Sequence, residues 1–167
     1  MIQRKEYLNR LIQWKDKQVI KVVTGIRRCG KSTLLLQYQE RLRKMGVKNN
    51  QIVAVNFEEL EYVELCDYRK LYAYIKEKLL PDKMTYIFLD EIQKVPDFEK
   101  AVDSLYVKPN TDIYITGSNA YMLSGGLATL LTGRYVEVSM LPLSFREYLK
   151  LSHEECESAF ADYIKYG

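Results

Sequence analysis

The chain has 167 residues, of which 47% are hydrophobic and 28% charged, a composition typical of a globular protein with one domain. The net charge of +3 is too small to indicate nucleic-acid binding by itself, and the three cysteines form no C-x-x-C pair, which argues against a zinc site or a disulfide framework. The charged start and the lack of a long apolar stretch predict a cytoplasmic protein with no membrane segment.

Apolar runs predict five β-strands, at residues 19–24, 52–57, 85–90, 112–116 and 135–140. The first four runs are nearly continuously apolar, which is expected for strands covered on both faces. The fifth alternates, with Val136, Val138 and Met140 on one side, and this pattern predicts a strand near the edge of the sheet.

Apolar stripes at helical spacing separate the predicted strands. The three stripes are Leu34, Leu35, Tyr38, Leu42 and Met45, then Tyr68, Leu71, Tyr72, Ile75 and Leu79, and finally Phe98, Val102, Leu105 and Tyr106. Gly46, Pro81 and Pro109 follow the stripes as stop signals. Because strands and helices alternate, we expect a parallel sheet with right-handed crossovers.

Two capping boxes predict helices near the end of the chain. Ser144 with Glu147 opens the first, and Ser152 with Glu155 opens the second. The second helix carries an apolar face and reaches Gly167 without an earlier stop signal. We therefore expect one domain over residues 1–150 and the start of a truncated helical region over residues 151–167.

Residues 25–32 match the pattern G-x-x-x-x-G-K-[ST], and they lie between a predicted strand and a predicted helix. Such a loop wraps nucleotide phosphates with its backbone N–H groups, while Lys31 reaches the β/γ-phosphates and the Ser32 hydroxyl binds Mg²⁺. A chance strand-to-helix turn would not require Lys-Ser at the start of the helix. The predicted nucleotide-binding residues are Gly25, Ile26, Arg27, Arg28, Cys29, Gly30, Lys31, Ser32 and Thr33.

Asp90 and Glu91 follow four apolar residues at the end of the third predicted strand, which is the Walker-B arrangement. Asp90 is predicted to hold Mg²⁺ beside Ser32, and Glu91 to polarise an attacking water. An acidic pair that merely ends a strand at the surface is the alternative. A glutamate directly after the aspartate favours ATP hydrolysis, and no Asn-Lys-x-Asp segment for reading guanine is present.

Ser118 and Asn119 follow the fourth predicted strand. They are expected at the carboxyl ends of the strands, where ligands bind in such a sheet. They fit either a contact with the γ-phosphate or lytic water, or simple turn chemistry. Arg134 precedes the fifth strand. It fits either a cation delivered to the transferred phosphoryl group or an ordinary exposed arginine.

Taken together, residues 24–32, 88–93, 116–119, 131–135 and 141–148 resemble the AAA-type ATPase domain of prokaryotic ATP-binding proteins, in the additional-strand, catalytic-glutamate division of P-loop ATPases. The resemblance covers about residues 7–149. It implies a three-layer α/β P-loop NTPase fold, with a mostly parallel five-stranded sheet in the order 5-1-4-3-2 and helices on both faces. It also implies Ser118 or Asn119 as the sensor residue, Arg134 as an arginine finger, and a C-terminal winged-helix-like region that this chain lacks.

Three functions are therefore considered. The first is a Mg²⁺-dependent ATPase that drives conformational change, with Lys31, Glu91, Ser118, Asn119 and Arg134 as its catalytic residues. The second is a nucleotide-dependent binding switch with little turnover, in which Arg134 acts on a neighbouring copy of a homo-oligomer. The third is nucleic-acid binding by residues 61–78, where tyrosines mix with basic residues, although their helical spacing is explained better by core packing. Tyr7, Leu8 and Leu11 are candidates for the adenine pocket.

Overall fold

A computed structural model describes residues 2–118, 131, 133–152 and 156–166. Its strands are β1 (Ile20–Gly25), β2 (Ile52–Asn56), β3 (Thr85–Asp90), β4 (Thr111–Ser118) and β5 (Tyr135–Met140). Its α-helices are α1 (Lys5–Gln13), α2 (Lys31–Lys44), α3 (Tyr68–Lys78), α4 (Phe98–Tyr106), α5 (Phe145–Ser152) and α6 (Cys156–Tyr166). Short 3₁₀ helices lie at Asn49–Gln51, Leu60–Leu65 and Ile92–Lys94.

The five strands form one sheet in the order β2-β3-β4-β1-β5, and every pair is parallel. This is the predicted order 5-1-4-3-2 read from the other edge. One apolar cluster contains Leu71, Val102 and Ile87, and a second contains Leu11, Tyr38 and Phe88. The sheet therefore lies between α3 and α4 on one face and α1 and α2 on the other, and the predicted three-layer P-loop NTPase fold is confirmed.

Local sequence signals explain where several helices begin and end. The Asp67 carboxylate accepts hydrogen bonds from the N–H groups of Arg69 and Lys70 at the start of α3. Gly46 follows α2 with a φ of 93°, and the Val47 N–H donates to the Leu42 carbonyl. This closes the end of α2 as a Schellman motif.

The capping box of α5 is formed as expected, because Ser144 and Glu147 each accept a backbone N–H of the other at 3.3 and 2.8 Å. The second proposed capping box includes Glu155, which lies outside the described residues.

Two sequence expectations differ from the structure, and helix α1 was not predicted. Strand β2 is not covered on both faces, because it is an edge strand and Ala54 is exposed. Met45 does not belong to the buried stripe of α2, since it is 49% exposed at the end of the helix. None of the helices in the described ranges is long and apolar enough to cross a membrane.

Candidate nucleotide-binding site

The loop between β1 and α2 is shaped by its two glycines. A Cβ on Gly25 would lie 2.6 Å from the Cys29 Sγ and 2.7 Å from the Met140 carbonyl oxygen, so no side chain fits there. Gly30 has a φ of 95° at the N-cap of α2, a conformation that favours glycine. Gly30 makes no side-chain cap at the start of α2, and the uncapped N–H groups of a helix N-terminus are suited to binding an anion.

The Lys31 side chain folds back into this loop. It is buried, and its ammonium group donates to the carbonyl oxygens of Gly25 and Ile26 at 3.3 and 3.2 Å. The same ammonium group lies 3.6 Å from Glu91 Oε1. A positive charge is therefore held at the centre of the loop, within reach of the acidic residue that follows β3.

Asp90 ends β3 in a buried position beside Ser32. Burial raises the pKa of Asp90, and side-chain hydrogen bonds with Ser32 and Thr116 lower it in part. A carboxylate and a hydroxyl are the hard oxygen ligands that Mg²⁺ prefers, so the pair fits a magnesium ion.

Thr116 contacts both acidic residues, a role that the sequence did not predict. Its hydroxyl donates to Asp90 Oδ1 and accepts the N–H of Glu91 at 2.9 Å. Gln93 adds a further contact, because its side-chain amide donates to Glu91 Oε2. Glu91 itself has a φ of 56°, a conformation uncommon for residues other than glycine. Thr116 and Gln93 therefore orient the two acidic residues.

A cleft of about 350 Å³ lies over the loop. It is lined by Arg27, Arg28, Gly30, Lys31, Ser32, Thr33, Glu58 and Glu91. The cleft thus brings most of the predicted phosphate-binding residues together with Glu91. Glu58, which follows β2, was not predicted. Of the remaining loop residues, Ile26 is 55% exposed and Cys29 is buried.

Ser118 and Arg134 lie at opposite ends of the sheet. Ser118 pairs in register with Gly25, which places it beside the start of the loop. Asn119 lies outside the described residues. The Arg134 carbonyl accepts the N–H of Ile20 at the amino end of β1.

The length of β1 separates Arg134 from the loop of its own chain by about 17 Å. The Arg134 guanidinium instead pairs with Asp103 and lies 5.6 Å from the centre of the Tyr106 ring. The structure therefore does not bring Arg134 to the loop of the same chain, and its role as an arginine finger stays a prediction.

A second cavity, of about 240 Å³, adjoins the other side of the loop. It is lined by Ile2, Arg4, Arg28, Cys29, Gly30, Thr33, Leu34, Gln37 and Leu143. The proposed adenine-pocket residues Tyr7, Leu8 and Leu11 do not line it; Leu11 is fully buried in the core, and the other two pack against the same cluster.

The tyrosines of residues 61–78 pack against the edge of the hydrophobic core. Tyr62, Tyr68, Tyr72 and Tyr74 are partly buried against the cluster that includes Leu71. Basic side chains lie over three of these rings, with the Lys78 ammonium 4.6 Å from the centre of Tyr74. These basic side chains cover the faces of three tyrosine rings, which disfavours stacking of nucleic-acid bases on them.

The sequence matches the model of one family, described as an AAA domain, over residues 17–149. This protein belongs to the AAA domain family. The AAA domain is 46% identical to an uncharacterised protein of Haemophilus influenzae over 173 residues, which cover all of this chain and 43% of that protein. The family match identifies a P-loop ATPase domain, in agreement with the loop and its acidic partners.

Two solved structures share the fold of this AAA domain. Cdc6p of Pyrobaculum aerophilum has a TM-score of 0.63 and 13% identity, over 93% of this chain and 49% of that chain. The Orc1 protein of Aeropyrum pernix, solved in complex with DNA, has a TM-score of 0.61 and 13% identity, over 97% of this chain and 50% of that chain. The AAA domain spans half or less of the proteins compared here.

Proposed function

We propose that this AAA domain binds ATP and hydrolyses it with the help of Mg²⁺, and that hydrolysis drives a conformational change in a larger protein. The observation that carries the proposal is the meeting of Lys31 and Glu91 in one cleft beside the N-terminus of α2. Ser32 lines this cleft and also lines a neighbouring pocket with Asp90. Each group has a distinct part in phosphoryl transfer, and their combination at this place is typical of ATP hydrolysis.

The loop would bind the phosphate chain through the N–H groups at the start of α2 and the Lys31 ammonium. Ser32 and Asp90 would hold Mg²⁺, which would neutralise charge on the phosphates. Arg27 and Arg28 line the same cleft, so they would add positive charge near the phosphates.

Glu91 would position and polarise the attacking water. In the structure, its two carboxylate oxygens contact Lys31 and Gln93. A bound phosphate would compete with Glu91 for Lys31, because both are anions within reach of one ammonium group. Phosphate binding would therefore free one carboxylate oxygen of Glu91 for the water, while Thr116 keeps the Glu91 backbone in place.

Ser118 is proposed to contact the γ-phosphate or the lytic water, since it pairs with Gly25 at the start of the loop. Asn119 stays a candidate for the same role. Arg134 is proposed to act in trans, on the loop of a neighbouring copy in a homo-oligomer, because the length of β1 separates it from its own loop.

A nucleotide-dependent binding switch with little turnover is the second candidate function. The remoteness of Arg134 from its own loop favours it, because an isolated copy would bind nucleotide without a complete site. Vigorous turnover that does not depend on protein concentration would contradict the switch and support a site complete within one copy.

Nucleic-acid association is a weaker candidate. Exposed basic side chains on α3, among them Arg69, Lys76 and Lys78, and the fold shared with the DNA-bound Orc1 protein favour it. Binding that falls steeply with added salt would support it.

A cytoplasmic location and a domain boundary at residue 150 also stay predictions.

The test is ATP turnover and nucleotide binding by the wild type, Glu91→Gln and Lys31→Met, across protein concentrations. Glu91→Gln should bind ATP as the wild type does but lose about 10²–10⁴ in turnover. Lys31→Met should lose both. Glu77→Gln, an exposed position on α3, is the matched control and should change neither. Wild-type turnover by Glu91→Gln would contradict the role of Glu91.

A further inference from the structure

The Arg4 side chain connects its own segment, before α1, to three other parts of the chain. Its guanidinium donates to the carbonyl oxygen of Cys29 in the loop at 3.4 Å, and to those of Leu141 and Pro142, after β5, at 2.6 and 3.3 Å. It also forms a two-pronged pair with Glu147 on α5, at 3.1 and 3.3 Å. The Arg4 side chain is only 9% exposed, although Glu147 is 23% exposed and Leu141 is an exposed residue.

Glu147 is held from both sides. It accepts the backbone N–H and the hydroxyl of Ser144 at 2.8 and 2.9 Å, which caps α5. It also receives the Arg4 guanidinium. The first turn of α5 is therefore fixed to the segment before α1, and any shift of Arg4 must move or release the start of α5.

Helices α5 and α6 pack against each other through their aromatic side chains. The Phe145 ring lies 5.0 Å from Phe160 and 5.5 Å from Tyr163, and Tyr148 lies 5.5 Å from Tyr163. The Tyr163 hydroxyl donates to the Leu143 carbonyl at 2.8 Å. These contacts make α5 and α6 one small unit, which Arg4 connects to the loop.

The second cavity lies at this connection. Arg4 and Leu143 line it together with Cys29 and Thr33 of the loop region. The segment before α1 is held there by the Gln37 side-chain amide, which donates to the Ile2 carbonyl at 2.7 Å. A group that occupies the cavity would touch both the Arg4 side chain and the connection between β5 and α5.

We propose that Arg4 is a positioning residue that couples nucleotide occupancy of the loop to the position of the α5–α6 unit, through Cys29 on one side and Glu147 on the other. The inference rests on the proposed function, because the ligand that it reports is the bound nucleotide. The planar guanidinium is required because it contacts the carbonyls and both oxygens of Glu147 at once, which an ammonium group cannot do.

The experiment is hydrogen–deuterium exchange of the 167-residue chain with and without ATPγS, in the wild type and in Arg4→Met, Arg4→Lys and Glu147→Gln. Exchange in the first turn of α2 reports nucleotide binding, and exchange in α5 reports the coupling. Arg10→Met is the matched control, because Arg10 forms an exposed pair with Glu6 within α1.

In the wild type and in Arg10→Met, ATPγS should slow exchange in both α2 and α5. In Arg4→Met and Glu147→Gln, ATPγS should still slow exchange in α2 but should leave α5 unchanged, with nucleotide affinity about tenfold weaker. Arg4→Lys should behave like Arg4→Met, and it serves as the test if Arg4→Met does not fold.

A nucleotide-dependent change in α5 that persists in all three variants would overturn the inference and leave only a structural role for Arg4. No slowing in the wild-type α2 would instead contradict the proposed nucleotide site itself. The first failure is observed in α5 of the variants and the second in α2 of the wild type, so the two are distinguishable.

Discussion

The Thr116 hydroxyl donates a hydrogen bond to the Asp90 carboxylate, across the boundary between β4 and β3. The same oxygen accepts the N–H of Glu91 at 2.9 Å, where the chain has a left-handed φ of 56°. One hydroxyl thus holds the proposed metal ligand and the backbone of the proposed catalytic glutamate in a single arrangement.

Replacing Thr116 with valine should therefore damage turnover more than nucleotide binding. Thr116→Val keeps the shape of the side chain but removes the hydroxyl that contacts Asp90 and the Glu91 N–H. Misplacement of a catalytic group costs about 100-fold in rate. The unfolding free energy should also fall by about 1–3 kcal/mol. Steady-state ATP hydrolysis and urea unfolding measure the two effects.

Thr116→Ser retains the hydroxyl and should keep most of the activity. Thr111→Val provides a control at the opposite end of β4, where the Thr111 hydroxyl contacts only backbone carbonyls of Leu105 and Lys108. Equal turnover in Thr116→Val and the wild type would show that Thr116 does not orient the acidic pair.

The features that could be predicted from the sequence are those set by neighbouring residues. The phosphate loop needs its glycines and Lys31 within eight positions, and Asp90 and Glu91 follow directly from an apolar strand. From the apolar pattern alone, four of the five predicted strands agree with the structure within one residue at each end, and β4 agrees within two. The order of the strands came from the family resemblance, because periodicity does not say which strands pair.

The features that were missed depend on contacts between distant positions. Thr116 lies 25 positions from Glu91, and Arg4 lies 143 positions from Glu147. Neither contact leaves a local pattern in the sequence. The contact of Thr116 forms only when β4 pairs with β3, and that of Arg4 forms only when the segment before α1 lies beside the loop and α5. The distance of Arg134 from the loop likewise depends on pairing, because it is set by the direction of β5 beside β1.

A buried ion pair at the amino end of the sheet provides a test of stability. Lys21 and Asp112 are both almost fully buried and contact each other. Burial lowers the pKa of Lys21 and raises that of Asp112, and each partner opposes the shift of the other. Asp112 also accepts the Asp16 N–H and the Tyr114 hydroxyl at 2.9 Å each.

Lys21→Met should lower the unfolding free energy by about 3–5 kcal/mol, because it leaves a buried carboxylate without its counter-charge. The double variant Lys21→Met/Asp112→Leu should lose less unfolding free energy than the sum of the losses of the two single variants. Lys100→Met removes an exposed pair with Asp97 and should cost under about 1 kcal/mol. Urea denaturation of the wild type, the two single variants of the pair, their double variant and Lys100→Met measures these losses, and an equally small loss for Lys21→Met would contradict the argument.

Glu147 makes the attachment of α5 sensitive to acid. Partial burial would raise the pKa of Glu147, but hydrogen bonds from Ser144 and the charge of Arg4 together bring it below the usual 4.5. Because the folded pKa is below the unfolded one, the stabilisation is present above the unfolded pKa and is lost as the pH falls through the folded pKa.

The wild type should therefore be more stable than Glu147→Gln at neutral pH, and the difference should shrink below pH 4.5, the usual pKa of this carboxyl. Unfolding free energies of both proteins across this range measure it. Glu77→Gln, which removes an exposed carboxyl on α3, controls for the change in net charge. A stability difference that stays constant into acid would show that the Glu147 charge does not stabilise the fold.

Arg134 should act on the loop of a second copy. It pairs with Asp103, and both side chains remain more than 40% exposed, at 44% and 43%, so an approaching subunit could reach it. Arg134→Ala should lose about 10³-fold or more in turnover, as removal of a trans-acting arginine does. ATP binding should be retained, since its own loop is untouched.

Mixing two inactive variants decides between a trans and a cis role. Glu91→Gln keeps Arg134, and Arg134→Ala keeps Glu91, so only an interface between the two combines an intact loop with an intact arginine. Random mixing in equal amounts should restore about one quarter of wild-type turnover. In a head-to-tail assembly, about one interface in four then joins an intact loop to an intact arginine. Asp103→Asn removes the partner of Arg134 within the chain and should keep its activity. A mixture as inactive as its two parents, or full turnover by Arg134→Ala alone, would exclude the trans role.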